Sequence, residues 1–199
     1  LGSRIDIDSW LGGLYYRFDK NRLYVMSTVF GGIQKADVKT DDGTIKTDTD
    51  ADQFGGSLET GYVYGLGKTL TLEPSLGISY AHINYGDIHD RAGTTAAYDN
   101  LNYFEAEAGI KLEKTFYYDE GTAKVYIRPS VIQTFGDSGD VRIDSLRPTN
   151  SLRNQTLGRI ELGGRYGFGN RLSFYGWTHY TYGSSYDAAA FGIGLNYAW

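Results

Sequence analysis

Phe191-Gly192-Ile193-Gly194-Leu195-Asn196-Tyr197-Ala198-Trp199 closes the chain, with a bulky apolar side chain at every second position. In a strand this period of two puts Phe191, Ile193, Leu195, Tyr197 and Trp199 on one face and small or polar residues on the other. Such a strand suits lipid outside and a crowded or wet interior inside. A half-buried strand of a water-soluble sheet has the same alternation, so the rest of the chain must decide between them.

Composition favours the membrane. The 199 residues include 18 Tyr and 27 Gly, with one Met, three Pro and no Cys, and the apolar fraction is a moderate 41%. Tyr and Trp suit membrane interfaces, where a ring body and a polar tip are both satisfied. A barrel needs apolar residues only on its outward positions, so the mean hydropathy of −0.39 is compatible with a membrane. No run approaches the roughly 18 apolar residues of a spanning helix, which leaves a closed strand barrel as the way across lipid. The net charge of −5 gives no reason to expect nucleic acid. Without Cys there is no disulfide framework and no thiolate metal site. No basic segment followed by an apolar one opens the chain, so any export signal is expected to be already removed.

Nine alternating segments are predicted, at about 5–18, 22–36, 53–64, 69–85, 100–117, 122–135, 154–168, 171–183 and 187–199. In the fourth, Leu70, Leu72, Pro74, Leu76, Ile78 and Tyr80 oppose Thr71, Glu73, Ser75, Gly77 and Ser79. In the fifth, Phe104, Ala106, Ala108, Ile110 and Leu112 oppose Glu105, Glu107, Gly109, Lys111 and Glu113. The sixth and seventh continue the pattern, with Arg128, Arg159, Glu161 and Arg165 on the inward side. A soluble sandwich buries its inward face and cannot hold that many charges, whereas a polar lumen can. The same charges contradict a soluble barrel holding an apolar ligand.

Connections alternate strictly between tight turns, at 19–21, 65–68, 118–121 and 169–170, and longer links, at 37–52, 86–99, 136–153 and 184–186. Outer-membrane barrels have short periplasmic turns and longer extracellular loops, which makes the final strand descend and end at the periplasm. With nine strands the first descends too, yet a closed bacterial barrel has an even number with both ends periplasmic. At least one rising strand is therefore expected before Leu1, unless the count of segments is off by one.

The chain resembles the C-terminal translocator barrel of bacterial autotransporters, the type V secretion systems, over essentially its whole length. The residues that carry the resemblance are Leu58-Glu59-Thr60-Gly61-Tyr62, Leu72-Glu73-Pro74-Ser75-Leu76, Ile127-Arg128-Pro129, Leu157-Gly158-Arg159-Ile160-Glu161-Leu162-Gly163-Gly164 and the ending Gly192 to Trp199, in that order and spacing. The resemblance implies an all-β, antiparallel outer-membrane barrel of twelve strands, of which about nine lie in residues 1–199. Three strands, a linker helix and a passenger would lie upstream. It implies the role of carrying an N-terminal passenger to the cell surface, with no enzymatic activity and no cofactor. The implied partners are outer-membrane lipid and lipopolysaccharide, the barrel assembly machinery and the chain's own passenger. Phe191, Gly194, Leu195, Tyr197 and Trp199 fit the C-terminal assembly signal of such proteins. An unpaired terminal strand also offers a free backbone edge for pairing with another sheet, so a chain short of its first strands would be held by that machinery.

Gly61 and Gly163, facing the lumen, leave room for a neighbouring Tyr to lie over the strand, with Tyr126 and Tyr175 as candidate rings. Inward Glu59, Glu73, Glu105, Glu107, Arg128, Arg159, Glu161 and Arg165 form a candidate luminal network for a linker or for pore water; mutual neutralisation across strands is the alternative. Other motifs carry no chemistry. Gly136-Asp137-Ser138-Gly139-Asp140 lacks a supporting His. Asp48, Asp50 and Asp52 have calcium-loop spacing, but Gln53 stands where the loop needs Gly. His82, His89 and His179 have no ligand spacing. The competing functional reading is a small outer-membrane adhesin or structural barrel whose long loops bind partners; it predicts one upstream strand and a signal peptide instead of three strands and a helical linker.

Overall fold

The computed structural model describes residues 3–40, 46–86, 88–89, 95–98, 100–136, 141–143, 154–169, 171–184 and 187–197. All regular structure in them is strand: β1 (Ser3–Lys20), β2 (Leu23–Thr40), β3 (Lys46–Tyr62), β4 (Tyr64–Gly65), β5 (Leu70–Tyr85), β6 (Ile88–His89), β7 (Thr95–Tyr98), β8 (Leu101–Tyr118), β9 (Gly121–Gly136), β10 (Val141–Ile143), β11 (Thr156–Phe168), β12 (Leu172–Tyr182) and β13 (Asp187–Tyr197). Each long strand pairs antiparallel with its sequence neighbour, in the order β1-β2-β3-β5-β8-β9-β11-β12-β13, and β4 continues the β3 edge along β5. Among the described residues β1 and β13 end this path.

Hairpin chemistry sets the short ends. Lys20 pairs with Leu23 around Asn21, whose φ of 59° is a conformation Asn tolerates. The β11–β12 turn likewise places Gly169 at φ 57°. Asp119 and Glu120 close β8 onto β9, where Tyr118 pairs with Gly121.

The long links depart from the sequence reading. Residues 37–40 and 46–52 extend β2 and β3 as a paired ribbon, with Asp37 opposite Asp48, so the strands run well past the apolar band. Polar alternation there was read as loop because neither face is apolar, although Thr and Val spaced by two are good strand formers. Links 86–99 and 136–153 contribute β6, β7 and β10 to a separate three-stranded sheet in the order β10-β7-β6.

The burial pattern is inverted relative to a soluble sheet. Tyr24, Ala51, Ser75, Ser130, Ile132, Thr134, Leu157, Ser173 and Thr181 are buried, and register places all of them on one face. The opposite face exposes Leu14, Val29, Phe54, Leu76, Ile110, Val131, Leu162, Phe174 and Ile193. Curvature explains the asymmetry. Three strand spacings, about 14 Å in a flat sheet, separate β3 from β9, yet Arg128 on β9 donates a 2.8 Å hydrogen bond to Glu59 on β3. The buried face is therefore concave, and the apolar face is convex.

Candidate functional site

The concave face carries a chain of polar contacts that crosses strands. Tyr24 on β2 donates its hydroxyl to Glu59 Oε1 at 2.7 Å, and the other oxygen of Glu59 accepts from Arg128 Nη2 at 2.8 Å. Arg128 also donates to Ser75 Oγ at 3.1 Å and lies 3.6 Å from Glu107. Glu107 accepts from Arg159 Nη1 at 3.0 Å, and Arg159 Nε donates to Thr181 at 3.0 Å. One line of alternating charge thus runs from β2 to β12. Each carboxylate in it is a quarter exposed or less, so its hydrogen bonds replace water.

Glu73 pairs with Lys111 at 2.9 Å, and Lys124 pairs with Glu113 at 3.0 Å nearer the short turns. Glu161 accepts from the Tyr126 hydroxyl at 2.7 Å and stands 4.0 Å from His179 Nδ1. Glu105 accepts from Tyr103 at 2.8 Å. Arg165 sits on the same face, exposed, opposite Lys124 and Tyr175, and is not drawn into the line. Seven of the eight inward charges named from the sequence therefore meet a polar partner, and they form several connected groups instead of one cluster. Among the described residues no group of His, Asp and Glu is set to hold a metal, and Asp50 and Asp52 lie on extended β3 instead of a ligating loop.

The two glycines have rings over them. A Cβ on Gly61 would lie 2.5 Å from Tyr24 Cε1, and one on Gly163 would run into Tyr126 Cζ. Only the missing side chain admits each ring. Tyr126 covers Gly163, whereas Tyr175 lies instead over Gly194 on β13, and Trp177 lies over Gly192. Tyr24 is the ring that sequence reasoning missed, and a signal for it existed. Tyr24 precedes Glu59 by the same 35 residues as Tyr126 precedes Glu161, and each Glu is followed two positions later by the covered Gly. Gly109 was also missed. A Cβ there would meet Arg128 Nε at 3.0 Å, so this glycine seats the arginine.

On β13, Phe191, Leu195 and Tyr197 point to the convex face and Gly194 to the concave one. Phe191 and Ile193 are 80% and 86% exposed because, among the described residues, β13 has a neighbour on one side only. Trp199 and the 137–140 part of the Gly136–Asp140 motif lie outside the described residues.

Comparison with known proteins matches this arrangement. The family model described as autotransporter beta-domain covers residues 1–179. The chain is 30% identical over 172 residues, 84% of its length, to the autotransporter adhesin/invasin TibA of Escherichia coli. It is 28% identical over 173 residues to the autotransporter CRAC of Citrobacter rodentium. These matches span 17% and 10% of those proteins, so the chain corresponds to a small part of each. The beta domain of the Bordetella autotransporter BrkA superposes with a TM-score of 0.67 at 13% identity, covering 99% of this chain and 92% of that one, which is a likeness of fold. With its outward apolar face, its charged concave face and a family model spanning nearly its whole length, the chain belongs to the autotransporter beta-domain family of outer-membrane translocator barrels.

Proposed function

We propose that this domain carries an N-terminal passenger across the outer membrane to the cell surface. The observation behind it is the pairing of a convex apolar face with a concave face whose charges satisfy one another. Such a wall meets lipid on one side and gives a polypeptide a wetted, neutralised surface on the other. The side chains of the concave face bind and screen; among the described residues they are arranged as ion pairs, and we assign the domain no enzymatic activity. Its partners in this role are outer-membrane lipid and lipopolysaccharide around the convex face, the barrel assembly machinery during insertion, and the passenger. In that assembly step Phe191, Gly194, Leu195, Tyr197 and Trp199 act as the recognised C-terminal strand, because β13 presents a backbone edge along which another strand can pair.

The test is surface display by the full-length protein. An epitope placed in the segment upstream of Leu1 is expected to be cleaved by protease added to intact cells, and to be retained inside when residues 187–199 are deleted. An epitope that stays protected in cells whose barrel is folded would overturn the translocator reading, and would favour a barrel that acts through its own loops.

A further inference from the structure

Pro74 and Pro129 stand in strands with a neighbour on both sides, a placement sheets normally exclude because proline has no N–H to give. Pairing of β3 with β5 reaches Gly61 opposite Ser75 and resumes on β4 with Tyr64 opposite Leu72, skipping the rungs of Pro74 and Glu73. Pairing of β8 with β9 runs to Gly109 opposite Ser130 and resumes at Leu112 opposite Ile127, skipping the rungs of Pro129 and Arg128. Register is kept across both gaps, so neither is a bulge. Pro74 itself pairs with Ile110 in the unbroken β5–β8 ladder, which puts the two gaps at one height. β5 and β8 thus form a panel with a proline seam along each side. In hydrocarbon a carbonyl without its donor cannot turn to water, so a seam in the membrane wall is more costly than one in a soluble sheet.

The concave face bears a contact that crosses both seams. Arg128, on β9 beyond one seam, passes over Gly109 of β8, donates to Ser75 on β5 and ends on Glu59 of β3 beyond the other. The same guanidinium has a second carboxylate within reach inside the panel, Glu107 at 3.6 Å, which Arg159 already holds at 3.0 Å. Lys111 and Glu73 tie the two panel strands to each other at the seam rungs. We propose that Arg128 is a releasable strap: bonded to Glu59 it spans both proline seams, and shifted to Glu107 it lets go of the β3–β5 seam alone, so that the β5–β8 panel can move against β3 while Arg128, Arg159 and Lys124 keep it tied on the β9 side. The barrel thereby has a place built in where it can deform without unpairing its other strands, a two-position element of the kind switches use. This goes beyond the translocator reading and does not depend on it.

Amide hydrogen exchange of the full-length protein in outer-membrane vesicles tests the strap. In Arg128→Met and in Glu59→Gln, amides in residues 60–64 are expected to exchange about tenfold faster than in the parent, while those of residues 108–112, held by Arg159–Glu107 and Lys124–Glu113, and those of β12 and β13 keep their rates. Adding Pro74→Ala to Arg128→Met restores the missing donor and is expected to return the amides of residues 60–64 to the parent rate. Acceleration spread evenly over all strands, no acceleration at residues 60–64, or acceleration that survives the proline replacement overturns the proposal. Should Arg128→Met fail to assemble, Glu59→Gln keeps the side-chain shape and decides the matter alone.

Discussion

Gly163 and Tyr126 show how one absent side chain organises the concave face. The ring occupies the space a Cβ would need, and its hydroxyl then falls 2.7 Å from Glu161. Gly163→Ala is expected to destabilise the folded barrel by roughly 1–3 kcal/mol through overpacking. The companion change Tyr126→Ala removes the ring that clashes, so the double variant is expected to be less destabilised than the two single costs combined, by at least about 0.5 kcal/mol. Denaturant titration of heat-modifiable gel migration in all three variants measures the coupling, and strict additivity would show that the ring and the glycine are independent. Gly61 with Tyr24 is the same device one repeat earlier in the chain. The inward glycines were legible in the sequence because they alternate with charge; Tyr126 was named as a ring from the sequence, and Tyr24 was legible only through the repeated spacing. For Gly194 that spacing fails, since Tyr175 comes from the neighbouring strand of a much tighter hairpin.

Single strands separate a convex apolar side from a concave polar one at each step of two. Leu76 on β5 is 64% exposed on the convex face, and Ser79, three residues on, faces the concave side. Leu76→Arg is therefore expected to cost about 2–4 kcal/mol if that rung lies near the bilayer midplane, whereas Ser79→Arg is expected to cost less than about 1 kcal/mol, since a luminal cation meets water and Glu105. Unfolding from lipid vesicles in guanidinium compares the two, and equal costs would mean that the faces are assigned the wrong way round. At this scale the sequence was read almost completely: nine segments of alternation correspond to the nine long strands of the large sheet, whose tenth, β4, continues β3. What escaped was the length of β2 and β3. Their distal ribbon is polar on both faces, so periodicity of hydrophobicity, the signal on which strand reading rests, is absent there.

For the whole molecule, the alternation of short and long connections predicts which way the wall stands in the membrane. An epitope inserted in the link between β10 and β11 is expected to be labelled on intact cells, and one inserted between Asp119 and Glu120 only after the outer membrane is permeabilised. The reverse pattern would invert the topology and place the β10-β7-β6 sheet in the periplasm. That small sheet joins strands from two separate links, β6 and β7 from one and β10 from the other, and no local pattern in either link announces the pairing. By itself the sequence determined the fold class, the number of long strands, the two faces and the charged character of the inner one, because each rests on a period of two or on turn residues a few positions apart. Tertiary structure alone decided which inward charges meet. Arg128 reaches Glu59 from 69 residues away and Arg159 reaches Glu107 from 52, and both contacts exist only because the sheet curls enough to bring non-adjacent strands within the length of an arginine. Curl is set by stagger and twist summed over many strands, a quantity no single segment of the chain encodes.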